Sequence, residues 1–174
     1  MNTVAAEHLW KSYGGQAVLR DVSLTAGPDR ITCVMAPSGA GKTTLLRILL
    51  GLERPDRGTV RLPAGCRWAA VFQEDRLLDH LPARENLRFA GAWDHPDRAA
   101  ALLAELGLPE PGEKPVGEFS GGMRRRLALA RALLAPSDAL ALDEPFTGLD
   151  EENRARCRAV ILRETAGKPV LLVT

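Results

Sequence analysis

The stretch from Ile31 to Leu50 constrains the fold more than any other part of the chain. The apolar run Ile31-Thr32-Cys33-Val34-Met35 leads into Ala36-Pro37-Ser38-Gly39-Ala40-Gly41-Lys42-Thr43-Thr44 and then into Leu45-Leu46-Arg47-Ile48-Leu49-Leu50. This reads as strand, glycine-rich loop and helix, the context that a phosphate-binding loop requires. Glycine lets backbone N–H groups close around phosphate oxygens with no Cβ in the way. The helix starts near Lys42 and aims its positive dipole end at the same anion. Lys42 adds a point charge between the β- and γ-phosphates, and the Thr43 hydroxyl is suited to ligate Mg²⁺. Ala36 stands where the strict pattern G-x-x-x-x-G-K-S/T has its first glycine. It serves there only if its φ stays negative, which leaves the tightest part of the loop to Gly39 and Gly41.

A chain of 174 residues with 45% hydrophobic content fits one α/β domain, with room for a small subdomain. The net charge of +1 creates no global field favouring nucleic acid or an anionic membrane. Only Lys11, Lys42, Lys114 and Lys168 of the 23 basic residues are lysines, so a lysine in the loop stands out. Cys33, Cys66 and Cys157 are odd in number and far apart, which predicts free thiols rather than a disulfide framework or a zinc site. His8, His80 and His95 have no ligand-like spacing and read as surface or loop residues. No signal pattern opens the chain, and no apolar run approaches the ~18 residues of a membrane span.

Val4 to Tyr13 and Ala17 to Ala26 alternate between apolar and polar around Gly14-Gly15, which predicts two strands and a turn. Tyr13, the only tyrosine, is placed either to stack on a base or to end a strand half-buried. Residues 51–58 are turn material, Thr59–Leu62 a short strand and Trp68–Phe72 a buried strand. Gln73 follows that strand. Its amide can reach Mg²⁺ or an attacking water, although an ordinary loop glutamine fits the bare sequence as well. From Leu77 to Leu108, prolines 82, 96 and 109 punctuate helical patterns over Ala83–Ala92 and Asp97–Leu106. These predict a small helical insertion, with residues 113–118 as a polar linker out of it.

Ser120 then caps a helix that runs through Leu134. Gly121 and Gly122 weaken its first turn by roughly 1 kcal/mol each. Either the bare N–H groups there form a second anion cradle, or this is a capped core helix whose Arg124-Arg125-Arg126 face is solvated. Ala139–Leu142 is a buried strand ending in Asp143-Glu144. Two carboxylates at that place are costly unless paired, metal-bound or catalytic. Asp143 is placed to hold the Mg²⁺ hydration shell and Glu144 to polarise the attacking water. A helix over 151–165 and a strand over Val170–Val173 follow.

Together these blocks resemble the ATP-binding cassette family, the nucleotide-binding subunits of ABC transporters. The likeness runs over essentially the whole chain. Ala36–Thr44 is similar to the Walker A motif, Gln73 to the Q-loop and Phe119-Ser120-Gly121-Gly122-Met123 to the signature sequence. Ala139–Glu144 is similar to Walker B with the catalytic glutamate, Gly148-Leu149-Asp150 to the D-loop, and Tyr13 to the adenine-stacking aromatic. The signature is the most discriminating of these.

The resemblance implies an α/β phosphate-loop NTPase core, an N-terminal antiparallel β subdomain and a helical insertion at about 77–135, all in one nucleotide-binding domain over 1–174. It implies ATP and Mg²⁺ as cofactors, with Thr43, Gln73 and Asp143 at the metal and Gln73 and Glu144 in catalysis. Two cassettes, identical or different, would pair head to tail, so that Ser120, Gly121 and Gly122 serve a nucleotide held by the partner. The insertion would grip transmembrane permease subunits at the inner face of the cell membrane, with a solute-binding protein outside and no nucleic acid. The implied activity is ATP hydrolysis driving import of a small solute. Met123 replaces the usual glutamine of the signature. The family also places a switch histidine directly after a terminal strand like Val170–Thr174, so the resemblance implies that the sequence continues past Thr174. Without that histidine, the reading becomes a hydrolysis-deficient cassette supporting a competent one.

Overall fold

The computed structural model describes residues 3–28, 30–92, 95–108 and 113–174. Pro109 lies outside the described residues. Strands β1 (Val4–Tyr13) and β2 (Gln16–Ala26) form a hairpin in which Tyr13 pairs with Gln16. Gly14 and Gly15 turn it with φ of 53° and 83°, the positive values that a two-residue hairpin turn of this hand needs. Strand β4 (Arg57–Arg61) pairs with the other edge of β1, giving an antiparallel sheet ordered β2-β1-β4. The predicted strand at 59–62 thus begins two residues earlier.

A second, parallel sheet holds β3 (Ile31–Val34), β7 (Val170–Val173), β6 (Ala139–Asp143) and β5 (Trp68–Val71) in that order. Every residue of β6 and β7 is buried, as expected for strands covered on both faces. The two-residue period divides the core. Leu140, Leu142, Val170 and Leu172 face helices α4 (Gly121–Leu134) and α5 (Glu151–Glu164). Ala139, Ala141, Leu171 and Val173 join α1 (Lys42–Leu49) and the antiparallel sheet, through Leu45, Ile48, Leu9 and Leu19.

The insertion contains α2 (Ala83–Phe89), α3 (Pro96–Glu105) and a short 3-10 turn at Val116–Glu118 before α4. Its incoming and outgoing segments bond to each other: Val116 N–H donates to the Leu81 carbonyl at 3.0 Å, and Gly117 N–H to that of Asp79 at 2.8 Å. Glu113, Lys114, Gly117 and Glu118 of the predicted polar linker at 113–118 are exposed. Val116 is fully buried, because this segment closes the base of the insertion. No helix among the described residues is long and apolar enough to cross a membrane.

Candidate functional site

Strands β3, β5 and β6 all point their carboxyl ends the same way, and the chain leaves each into a segment singled out by the sequence. Ligands of open parallel sheets bind at this edge. A cleft of about 240 Å³ opens there, lined by Tyr13, Ser38, Gly39, Gly41, Lys42, Thr43, Thr44, Gln73, Asp143 and Glu144. Ala36, Pro37 and Ala40 belong to the same loop. Ser120, Gly121 and Gly122 do not line the cleft.

The loop has the predicted conformation. Gly39 and Gly41 have φ of 81° and 86°, and Ala36 is not among the residues with positive φ. Gly41 caps α1 with no side chain, and the first turn carries no acidic residue. The N–H groups at this helix start therefore face the cleft without a local anion, which suits them to a bound phosphate. The Lys42 ammonium folds back on the loop and donates to the carbonyls of Ala36 at 2.6 Å and Pro37 at 3.1 Å.

Thr43 Oγ1 donates to Asp143 Oδ2 at 3.0 Å, so two hard oxygen ligands from elements a hundred residues apart already touch. Asp143 is only 2% exposed. Desolvation pushes its carboxyl pKa up, against the pull of the Thr43 hydroxyl, and the Glu144 charge pushes the same way. A buried carboxylate short of positive charge, beside a hydroxyl, fits a small divalent cation. No group of three or more His, Cys, Asp or Glu among the described residues is arranged to hold a metal. A cation here must complete its shell with water and ligand oxygens, as Mg²⁺ commonly does.

Glu144 has φ of 47°, the left-handed region that a non-glycine residue enters only when its surroundings hold it there. Its N–H donates to the Val173 carbonyl at 2.8 Å, and Thr147 Oγ1 donates to its Oε2 at 3.1 Å. Arg125 holds it from the other side. This α4 residue is 4% exposed. Its Nη2 donates to the carbonyls of Asp143 at 2.8 Å and Glu144 at 2.6 Å. Its Nη1 donates to the carbonyl of Phe72 at 2.6 Å and to Asp75 Oδ1 at 3.0 Å, with Gln73 O at 3.3 Å. Arg131, one helix face further on, donates to the carbonyls of Asp75 and Arg76. The segment after β5 is thus fastened to α4 through its backbone, while the Gln73 side chain stays exposed in the cleft.

Of the capped-core-helix alternative, the solvated arginine face does not hold. Arg125 is buried, and Arg124 and Arg126 are half-buried. Arg126 reaches the carbonyls of Leu106 and Gly107 and the Asn153 side chain. The signal was available. Arg125 shares a helical face with Ala128, Leu129 and Ala132, all buried, so periodicity places it inward. Ser120 does cap α4, its Oγ accepting from Met123 N–H at 3.2 Å, and the helix start with Gly121 remains exposed.

Tyr13 ends β1 at the rim of the cleft, 46% exposed. Its hydroxyl donates to Glu53 Oε1. That bond raises the tyrosine pKa, with desolvation second, while the Thr44 hydroxyl acts the opposite way. It likewise lowers the pKa of Glu53. Nothing in the sequence links Glu53 to Tyr13, since 40 residues separate them.

The family model described as ABC transporter matches residues 19–147. The chain belongs to the ABC transporter family. Among curated members, it is 41% identical to a taurine import ATP-binding protein of Pseudomonas aeruginosa, over 91% of this chain and 66% of that protein. It is 42% identical to an aliphatic sulfonates import ATP-binding protein of Rhodococcus jostii, over 93% of this chain and 68% of that protein. The chain spans about two thirds of the length of these relatives. A solved structure described as the ATP binding subunit of an ABC transporter superposes with a TM-score of 0.86 at 26% identity, covering 98% of this chain and 78% of that one. The α/β architecture inferred from the motifs is therefore that of an ABC ATP-binding subunit.

Proposed function

We propose that this chain is the ATP-hydrolysing cassette of an ABC importer for a small solute. The single observation carrying this reading is the cleft that gathers Lys42, Thr43, Gln73, Asp143 and Glu144 from three strand ends. The relatives named for taurine and aliphatic sulfonates make small sulfonates the first solutes to test.

In this reading the N–H groups at the start of α1 bind the phosphates of ATP, and Lys42 exchanges its two loop carbonyls for β- and γ-phosphate oxygens. Thr43 and Asp143 would hold the metal, with Gln73 as a further ligand. Bound Mg²⁺ would supply charge neutralisation across the β- and γ-phosphates. Glu144 orients the attacking water and accepts its proton, its carboxylate steadied by Thr147. Tyr13 offers a ring face to adenine. Ser120, Gly121 and Gly122 point outward to a nucleotide held by a second cassette, so that ATP closes a head-to-tail pair. The helical insertion docks on a permease, which brings the chain to the inner face of the membrane, and a solute-binding protein supplies the cargo. Residues 1–174 act as one nucleotide-binding domain.

The test is a pair of variants. Lys42→Ala is expected to abolish ATP binding in a titration. Glu144→Gln is expected to keep binding, stop hydrolysis and trap an ATP-bound dimer visible by size-exclusion chromatography. A Glu144→Gln chain hydrolysing ATP at the parent's rate overturns the base assignment. A parent that binds ATP but never hydrolyses it, even with its permease, points instead to a regulatory cassette.

A further inference from the structure

Lys11, Tyr13, Glu53 and Asp56 form a connected polar group at the rim of the cleft, outside the phosphate and metal contacts. Glu53 lies beyond the carboxyl end of α1, in the loop that leads to β4. Lys11 Nζ donates to the Arg54 carbonyl at 2.8 Å and lies 3.2 Å from Glu53 Oε1 and 3.4 Å from Asp56 Oδ1. The same Glu53 oxygen accepts the Tyr13 hydroxyl. The Lys11 ammonium also sits 5.4 Å from the centroid of the Tyr13 ring. Asp56 Oδ2 accepts the Ser12 N–H at 2.7 Å, which ties the backbone beside Tyr13 to the same loop. The Lys11 and Glu53 side chains are only 15% and 20% exposed, so water competes weakly for these contacts.

A tyrosine at the end of a hairpin strand has two free torsions, and ordering it on a ligand costs rotamer entropy. Here the hydroxyl is fixed at one end and an ammonium occupies one side of the ring. We infer that Glu53 is a positioning residue for nucleotide binding: through the Tyr13 hydroxyl and Lys11 it holds the aromatic ring ready for the base. This rests on the nucleotide reading of the cleft. Glu53 touches no phosphate and no metal in that reading. Its contribution is therefore confined to the base half of the ligand.

That confinement makes it testable with two probes in the presence of Mg²⁺, ATP and inorganic tripolyphosphate, titrated calorimetrically against the full chain. Tyr13→Ala is expected to weaken ATP roughly tenfold, the scale of one base–aromatic stack. Glu53→Ala is expected to weaken ATP roughly threefold, with tripolyphosphate affinity changed less than about twofold. In the Tyr13→Ala background, Glu53→Ala should have no further effect on ATP. Equal losses for both probes overturn the inference, because they mean Glu53 supports the loop of α1 instead of the ring. Additive losses in the double variant overturn it too. A parent that binds neither probe, with Lys42→Ala indistinguishable from it, overturns the nucleotide reading itself.

Discussion

Arg125 Nη2 donates to the carbonyl oxygen of Glu144 at 2.6 Å, joining the N-terminal half of α4 to the strained residue at the end of β6. The same guanidinium holds the segment after β5 through Phe72 and Asp75. One planar group thus sets the spacing between the two strand ends that carry Gln73 and Glu144. The planar fork of Nη1 and Nη2 suits this task, and a lysine ammonium on a flexible stem cannot span both strand ends.

Replacing Arg125 by alanine leaves several buried acceptors unpaired, and the expected loss is about 3 kcal/mol of unfolding free energy, read from urea titration. Arg125→Lys keeps a charge at the centre and should fold with a smaller loss. Hydrolysis by Arg125→Lys should fall at least ~10-fold because Glu144 is no longer held at its distance from the bound phosphate. ATP affinity, set by the loop before α1, should stay near the parent's. A fall in affinity equal to the fall in turnover would locate the role of Arg125 elsewhere.

The two loop glycines differ in a way that substitutions can separate. A Cβ on Gly41 would lie 2.7 Å from Val18 Cγ1 and 2.9 Å from Leu19 Cδ2, and the residue has φ of 86°. A Cβ on Gly39 meets nothing within 4 Å, so only its φ of 81° opposes a side chain. The left-handed conformation costs about 1–2 kcal/mol for alanine at either position. Gly41→Ala adds a collision with β2 and should lose nucleotide binding along with stability. Gly39→Ala should lose only the backbone part and retain measurable binding. Comparing their ATP titrations and thermal midpoints checks this.

Much of this arrangement was legible in the sequence because local chemistry and tertiary position agree. Gly39, Gly41 and Lys42 carry their conformation and charge wherever the strand and helix place them, and β6 reads as buried because no residue of it is polar before Asp143. The surroundings of Arg125 and Val116 were less legible for the opposite reason. Helical periodicity turns Arg125 inward, but the carbonyls that satisfy it come from residues 18 to 53 positions away. Val116 looks like part of a polar linker, yet its burial depends on the Leu81 segment that pairs with it. Glu53 had no sequence signal, since its partner Tyr13 is brought to it by the antiparallel sheet.

Asn86 is a buried polar side chain whose hydrogen bonds all go to backbone. It is 1% exposed on α2. Its Oδ1 accepts from Leu78 N–H at 2.7 Å, and its Nδ2 lies 3.1 to 3.3 Å from the carbonyls of Leu78, Leu81 and Pro82. The loop leading into the insertion is folded around this amide. Asn86→Ala removes the partners of the half-buried Leu78 N–H and of its neighbouring carbonyls, for an expected loss of about 2–3 kcal/mol. ATP affinity should be unchanged, because none of these groups lines the cleft. Urea unfolding with a parallel ATP titration separates the two effects.

The thiols give a pH-dependent signature. Cys157 is fully buried on α5, and desolvation pushes its pKa from 9.0 up to about 11, partly opposed by the Arg126 charge. Its folded-state proton is therefore held more tightly than its unfolded-state proton. Below pH 9 both states carry the proton and the difference has no effect on stability's slope. Between about pH 9 and 11 the unfolded chain releases it first, so stability falls as pH rises, by on the order of 2 kcal/mol from this group. Cys33 is exposed on β3. At pH 8, iodoacetamide should modify Cys33 in the native chain and leave Cys157 untouched until denaturant is added. Peptide mass mapping reads both sites, and rapid native alkylation of Cys157 would mean that α5 opens far more readily than its packing against β6 and β7 implies.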